Sequence, residues 1–222
     1  MTKRERVEKT MDFQETDRTP IYDLLRCDAA FEYFSGEKLP TLSKSPETEE
    51  KLLKIVGKAI NKLLDMTRSV GFGPVVEEDI EDEFGFVHHI SPIEKTSWIK
   101  KRPFNDEKGA IEFLGKWIKN IKEDTEQISR NSSEYRRKYH NYFLKIQSEI
   151  GETVNLLAQH GVGLDDIRVR LGFEIFSFVY ADEPGIISEF LEEYTKRNIA
   201  ICHAIADIKL SPCVLTYGDI AC

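Results

Sequence analysis

Two side chains capable of chemistry follow apolar runs that are typical of buried strands. Asp219 comes directly after the run at 212–217, and His160 follows the run at 153–158. Because α/β folds place their chemistry at the carboxyl ends of parallel strands, we predict both as catalytic residues. A carboxylate there would hold a cationic or hydrogen-bonding part of a substrate, and an imidazole would serve as acid, base or ligand. The alternatives are a helix N-cap or a solvated chain end for Asp219, and a buried, hydrogen-bonded histidine for His160.

A second group of charged residues follows the other two apolar runs and is predicted to bind substrate. Asp23 and Arg26 stand at the end of the first run, and Glu77 and Asp79 follow the second. Clustered carboxylates can raise one another's pKa or bind a metal ion. The alternatives are an ordinary loop ion pair for Asp23 and Arg26, and a solvated acidic loop for Glu77 and Asp79.

Histidine and cysteine residues do not form a metal-ligand pattern. His88 and His89 are neighbours on a predicted strand and therefore face opposite ways, which favours surface positions. Cys202 and His203 are neighbours in a predicted helix and do not share a face, so Cys202 is predicted to pack in the core. Cys213 is predicted as a buried strand residue. No three residues have the spacing of a zinc site, and we predict no metal or cofactor bound by this chain itself.

Composition restricts the class of protein. The length suits one domain, and Lys+Arg 31 against Asp+Glu 39 gives a net charge of −8, which argues against broad binding to nucleic acid. No apolar run approaches the roughly 20 residues of a membrane helix, and the N-terminus lacks the apolar stretch of a signal peptide. The four cysteines include no CxxC pair. Together these features indicate a cytoplasmic, reduced protein without a membrane partner.

Periodicity predicts long helices between short strands. Two helices, at 46–67 and 183–205, have apolar residues at helical spacing and a proline in the first turn. The other predicted elements are a short helix after Thr2, helices at 107–121 and 131–150, helical segments at 164–179, a surface hairpin at 84–90, and strands at 21–25, 70–76, 153–158 and 212–217. Strands separated by long helical patterns indicate βαβ units and a parallel sheet.

The predicted fold class is α/β, a partial (β/α)8 TIM barrel. It comprises roughly the N-terminal half of the barrel, with an N-terminal helix and an inserted hairpin. A complete barrel takes ~250 residues or more, and four strands over 222 residues are sparse. The single domain, 1–222, is therefore predicted to be incomplete at its C-terminus. Four strands without closure leave an open edge of unpaired backbone groups, which predicts a homodimer through that edge.

Four motifs, in order along the chain, resemble those of the uroporphyrinogen decarboxylase superfamily. The family's pattern is given in parentheses after each range of this chain. The first two motifs are the opening at 2–7 and 17–21 (T-x-R-E-R-V … D-R-x-P-V) and the hairpin at 82–85 (D-E-[FW]-G). The other two are the stretch at 160–174 and 182–184 (G-P-F … G-F-E … D-P-E) and the strand end at 218–221 (D-D-I-A). No single motif is specific, but their order and rough spacing match over essentially the whole chain. The resemblance implies a TIM barrel.

The resemblance also implies two enzyme activities. Superfamily members include the decarboxylase of haem biosynthesis and methyltransferases that move methyl groups between corrinoid proteins and thiols. In the methyltransferase branch, zinc held by a His-x-Cys motif and a later Cys activates the thiol. Those ligands would come after residue 222, so zinc and a corrinoid partner are expected only for a full-length relative.

Departures from the family pattern favour the methyltransferase branch. The decarboxylase branch carries two arginines after the first strand, whereas only Arg26 stands there in this chain. It also carries a tyrosine after the third strand, and residues 161–172 contain none. Gly218 replaces the first Asp of D-D-I-A and leaves Asp219 alone. We expect a parent activity of methyl transfer between a corrinoid and a thiol. The alternatives are decarboxylation of a tetrapyrrole side chain, and an inactive truncated or partner-dependent domain.

Overall fold

The computed structural model describes residues 1–41, 45–68, 76–92, 96–158, 161–207 and 209–215. Within these ranges the helices are α1 (Lys3–Met11), α2 (Asp28–Ser35), α3 (Pro46–Leu63), α4 (Glu107–Arg130), α5 (Ser132–Ile150), α6 (Leu164–Leu171), α7 (Phe173–Asp182) and α8 (Pro184–Ile205). The strands are β1 (Met66–Arg68), β2 (Glu78–Glu81), β3 (Val87–Ser91), β4 (Thr96–Lys101), β5 (Val154–Ala158) and β6 (Val214–Leu215). Among these helices, none is both long and apolar enough to cross a membrane.

A parallel sheet holds β1, β5 and β6 in that order. Met66 of β1 lies opposite Val154 of β5, and Leu157 of β5 lies opposite Val214 of β6. Tyr22 adds a parallel bridge to Met66 on the other side of β1. The neighbours in this sheet therefore follow chain order, whereas a doubly wound sheet reverses its order at a switch point. The mixed α/β class is confirmed.

The four predicted strands have different outcomes. The strand at 153–158 is confirmed as β5, and β6 lies within the predicted run at 212–217, of which residues 216 and 217 fall outside the described residues. The run at 21–25 contributes only the bridge at Tyr22. Most of the run at 70–76 lies outside the described residues. In place of the predicted strand at 70–76, the sheet contains β1. The predicted helix at 46–67 overlapped β1, but α3 already ends at Leu63 and leaves Met66–Arg68 to form the strand.

Asp65 anchors the connection between α3 and β1 to α1 and to the segment that follows α1. Its side chain has no exposure to solvent, and it accepts hydrogen bonds from Arg6 at 2.5 Å and from Arg18 at 2.5 and 2.9 Å. The backbone N–H of Ile21 donates to the same carboxylate at 2.8 Å. Burial would raise the pKa of Asp65, but the hydrogen bonds from Arg18 and Ile21 and the charge of the arginines hold it below its usual value. The carboxylate is therefore ionised inside the protein.

The predicted hairpin is part of a three-stranded antiparallel sheet. β3 pairs with both β2 and β4. The turn between β2 and β3 is organised by Asp82, whose Oδ1 accepts the N–H groups of Phe84 and Phe86 at 3.0 Å each. Gly85 has φ +84°, a conformation that glycine adopts without strain. The expected hairpin at 84–90 is corrected in extent, since 84 and 85 belong to the turn and β4 adds a third strand.

The helices agree with the predictions more closely than the strands do. The capping box is present: the Thr2 hydroxyl accepts the N–H of Glu5 at 3.1 Å, and the Glu5 carboxylate accepts the N–H of Thr2 at 2.8 Å. α4 continues past the predicted end at 121, because Ile128 supplies another buried position. α2 was not predicted, since Phe31 is its one buried apolar residue and leaves no periodic pattern.

Two large apolar clusters hold the helices together. The larger joins the antiparallel sheet to α4, α6, α7 and α8, and its fully buried members include Phe86, Leu114, Ile167, Val179 and Phe190. The second joins α2, α3 and α5, and includes Phe31, Val56, Ile60, Ile146 and Ile150. A smaller cluster of Val7, Val154 and Leu156 attaches α1 to the parallel sheet. Burial of these side chains is the main stabilising contribution to the fold.

Helices α3 and α5 approach each other closely at Gly57. A Cβ added there would stand 2.5 Å from the backbone oxygen of Glu149 and 2.7 Å from its carbonyl carbon. We expect Gly57→Ala to lower the free energy of unfolding by about 1–3 kcal/mol, because the backbone of α5 must shift. Gly115→Ala is the matched control: nothing lies within 4 Å of its added Cβ, and alanine should stabilise α4 by roughly 0.5–1 kcal/mol. Urea unfolding midpoints measure both changes, and a loss of similar size at both positions would contradict the close contact.

Removal of the Asp65 charge tests the buried ion network. Asp65→Asn should lower the free energy of unfolding at pH 7 by about 3 kcal/mol, since two arginines lose their charged partner. Because the pKa of Asp65 is lowered on folding, its contribution is complete above the unfolded pKa of about 3.9 and is lost as the pH falls through the folded value. The difference between wild type and variant should therefore be constant at higher pH and shrink as the pH falls below about 4, as measured by denaturant unfolding.

Glu50→Gln serves as the control for that titration. Glu50 makes an exposed ion pair with Lys54 at 2.7 Å, of a type that contributes little to stability. A pH-independent difference at Asp65, or an equal effect at Glu50, would refute the role given to the buried network.

Candidate functional site

The carboxyl edge of the parallel sheet brings Asp23 next to β1. The hydroxyl of Thr67 donates to the backbone oxygen of Asp23 at 2.8 Å, and the Asp23 carboxylate accepts the N–H of Leu24 at 2.7 Å. Asp23 and Arg26 are both exposed, and Arg26 directly precedes Cys27, the N-cap residue of α2. The structure therefore places both predicted residues in the segment that leaves this edge.

Tyr22 and Arg68 add a phenol and a guanidinium near Asp23: Tyr22 bridges Met66 at the start of β1, and Arg68 ends that strand. Burial raises the pKa of the Tyr22 phenol, the positive charge of Arg68 acts to lower it, and the negative charge of Asp23 raises it further. The three side chains therefore lie within electrostatic reach of one another. Such a group can donate and accept hydrogen bonds and hold an anionic part of a substrate. We refer to Tyr22, Asp23 and Arg68 as the edge cluster.

Sequence reasoning missed two members of the edge cluster. Tyr22 was interpreted only as part of a strand, and Arg68 fell just after the predicted helix at 46–67. A correct assignment of β1 would have placed Arg68 at a strand's carboxyl end, where α/β proteins carry their functional residues.

The two predicted catalytic residues lie outside the described residues. His160 follows β5 and Asp219 follows β6, but the described chain omits 159–160 and 216–222. Their catalytic roles stay predictions.

Glu77 and Asp79 belong to the antiparallel sheet region. Asp79 accepts a hydrogen bond from Lys100 at 2.6 Å and contacts Nδ1 of His89 at 2.7 Å. Glu77 lies 3.8 Å from Nε2 of the same imidazole. The contacts from Lys100, and then His89, hold the pKa of Asp79 below its usual value. Both carboxylates thus have partners within or beside this sheet, and their role in substrate binding stays a prediction.

His88 and His89 face opposite sides of β3, as expected for strand neighbours. His89 contacts Asp79, whereas Nε2 of His88 lies 3.1 Å from the carboxylate of Asp82. Both side chains are half-buried rather than fully exposed. They therefore act in two separate contacts and do not form a common metal site.

Asp82 joins the antiparallel sheet to α6 through Arg170. Nη1 of Arg170 donates to Asp82 at 3.0 Å, and the guanidinium lies 5.1 Å from the ring centre of Phe86 and 4.9 Å from that of Trp117. Burial would raise the pKa of Asp82, but hydrogen bonds from Phe86, His88, Arg170 and Phe84 hold it below its usual value. The first residue of the D-E-F-G motif is thus an ionised structural anchor.

The thiols are not arranged as metal ligands in the described chain. Cys202 and Cys213 are half-buried rather than fully buried, and burial raises the pKa of each thiol. Cys213 packs against the cluster that contains Val7 and Val154. Within the ranges that the structure describes, no group of three His, Cys, Asp or Glu side chains could hold one metal ion.

Comparison with known proteins finds no family model, no curated protein and no solved structure that matches this chain.

Substitutions in the edge cluster should move the pKa of Tyr22 in opposite directions. Arg68→Met removes a positive charge and should raise that pKa, whereas Asp23→Asn removes a negative charge and should lower it. Carbon-13 NMR of Cζ-labelled tyrosine measures the titration, and Tyr22→Phe identifies the resonance. Arg26→Met is the control and should have the smaller effect. If the pKa of Tyr22 changes in Arg26→Met but not in Arg68→Met, the three side chains of the edge cluster do not interact as described.

Proposed function

We propose that this chain is a uroporphyrinogen decarboxylase-type protein built on part of a (β/α)8 barrel, with its substrate site at the carboxyl edge of the parallel strands. The main support is the order of the parallel strands. The bridge at Tyr22, β1, β5 and β6 are parallel neighbours in chain order, which is the arrangement of strands in a singly wound barrel. The motifs at 2–7, 17–21 and 82–85 support the same assignment.

The proposed parent reaction is methyl transfer between a corrinoid and a thiol. Two sequence features support it over decarboxylation: Arg26 stands alone after the first strand, and residues 161–172 contain no tyrosine. In the direction from corrinoid to thiol, sulfur bonds to the methyl carbon, the cobalt–carbon bond breaks and its electron pair stays on cobalt. The thiol proton passes to a base, for which His160 is the candidate.

The edge cluster would bind and orient the polar parts of the substrate. Arg68 and Arg26 suit carboxylate or phosphate groups, and Asp23 suits a cationic or hydrogen-bonding group, the role also proposed for Asp219. The described residues do not fit a zinc site, so we assign no step to a metal held by this chain.

The proposal includes a partner-dependent form of the protein. In the described part of the chain, β6 pairs with β5 and with no other strand. An unpaired strand edge favours pairing with another chain. A homodimer through this edge would bring further parallel strands beside β6. If the active unit is that dimer, activity will depend on protein concentration.

An anaerobic assay tests the reaction and the partner together. The purified chain is mixed with methylcobalamin and 2-mercaptoethanol, and loss of methylcobalamin absorbance is followed. We expect thiol-dependent demethylation that rises faster than linearly with protein concentration, and a rate about tenfold lower in Asp23→Asn, since an oriented charged hydrogen bond contributes about that factor. Lys119→Gln, an exposed change on α4, should leave the rate unchanged.

A parallel assay with uroporphyrinogen as the substrate, together with light scattering, distinguishes the alternatives. Consumption of uroporphyrinogen without metal would establish decarboxylation instead. A monomer by light scattering that turns over neither substrate would identify the chain as inactive by itself and would exclude the homodimer.

A further inference from the structure

A cleft of about 450 Å³ lies between α4, α6, α8 and the turn of the antiparallel sheet. Its size falls within the range of small-molecule sites, about 300–1,000 Å³. Its lining combines apolar rings with charged groups: Phe84, Trp117, Asp124, Asp166, Arg170, Arg197. It shares no lining residue with the edge cluster, so it is a second candidate site.

Both arginines of the cleft are held in place but retain unused donors. Nη1 of Arg170 donates to Asp82, and its guanidinium stacks over Trp117. Nε of Arg197 donates to Asp124 at 2.5 Å. Within the described residues, the other N–H groups of both side chains have no hydrogen-bond acceptor. A guanidinium whose orientation is already set loses little entropy when it binds an oxygen of a ligand.

The charge of the cleft is nevertheless negative. Asp82 neutralises Arg170, and Asp124 neutralises Arg197. Asp166 receives only a hydrogen bond from the hydroxyl of Tyr194 at 3.0 Å, which leaves its charge uncompensated among the described residues. Glu83 also lines the cleft. An inorganic anion would therefore be repelled, whereas an ammonium group would be attracted to Asp166.

We propose that this cleft binds a small organic ammonium compound that also carries a carboxylate, the chemistry of an amino acid. The ammonium group would contact Asp166, and the carboxylate would accept hydrogen bonds from Arg197 and Arg170. The rings of Phe84 and Trp117 would contact an apolar side chain. A ligand with only one of the two charged groups would bind less well. An amine without a carboxylate leaves the arginine donors unused, and a carboxylate without an ammonium group is repelled by the net negative charge of the cleft.

The neighbouring cleft gives such a ligand further room. Asp166 and Arg170 also line a space of about 270 Å³ that is bounded by His88 and Trp98. A side chain attached to the bound ammonium carboxylate could extend on either side of α6.

Three compounds that differ by one group test the proposal. L-Leucine carries both groups, 3-methylbutylamine lacks the carboxylate, and 4-methylpentanoate lacks the ammonium. By isothermal titration or saturation-transfer NMR on the full chain, we expect leucine to bind about tenfold more tightly than the amine, the gain of one charge-assisted hydrogen bond. The carboxylate and orthophosphate should not bind measurably. Tighter binding of either anion than of the amine, or no leucine binding at tens of millimolar, would overturn the proposal.

Two substitutions test which residue binds the ammonium group of the ligand and which binds its carboxylate. Asp166→Asn should weaken both leucine and the amine about tenfold, because both lose the partner of their ammonium group. Arg197→Gln should reduce the advantage of leucine over the amine, since only Arg170 then binds the carboxylate, and it should not weaken the amine. Arg137→Gln, an exposed change on α5, is the matched control and should alter neither affinity.

Folding of the variants is checked by circular dichroism and by the unfolding midpoint. Because Arg197→Gln leaves Asp124 without its ion pair, Arg197→Lys provides a second variant that keeps the charge, and its leucine affinity should lie between those of wild type and Arg197→Gln. Unchanged leucine binding in Asp166→Asn would refute the site.

Discussion

A carboxylate without solvent exposure stands where three segments of this chain meet. Asp65 is reached by Arg6 from α1, by Arg18 from the following segment, and by the backbone N–H of Ile21. Burial of an unpaired charge costs several kcal/mol, so the buried position of Asp65 directly before β1 is stable only with these partners. Val154 donates to the backbone oxygen of Asp65 at 2.8 Å, which sets the register of the two strands. The central sheet therefore depends on this one ion network.

The two edges of the parallel sheet have different roles as a result. At the amino edge, Arg6 is held by Asp17 at 2.7 and 2.8 Å in addition to Asp65, and the hydroxyl of Thr153 donates to the backbone oxygen of Leu64 at 2.9 Å. These polar groups satisfy one another inside the protein. At the carboxyl edge, Asp23 is exposed. Because an exposed charge can exchange water for a ligand, this exposure supports the substrate site that we propose at the carboxyl edge, whereas the amino edge holds the buried ion network.

Prediction from the sequence was most successful where structure depends on near neighbours. The capping box at Thr2, the proline that opens α8 and the apolar run of β5 are all local features, and each is found where expected. β1 was missed because its three residues carry no periodic pattern of their own. Its strand conformation comes from pairing with Val154 and its neighbours, far along the chain.

The α/β class and most of the helices could be predicted from the chain alone, since periodicity and capping act within a few residues. Which charges meet could be seen only in the folded chain. Asp82 pairs with Arg170, 88 positions away, and Asp65 pairs with Arg6, 59 positions away. An ion pair depends on distance in space, and in a chain with this many charged residues the spacing along the sequence does not identify the partner. For the same reason, the sequence did not show that Arg68 lies near Asp23, or that Arg170 and Arg197 line one cleft between α4, α6 and α8.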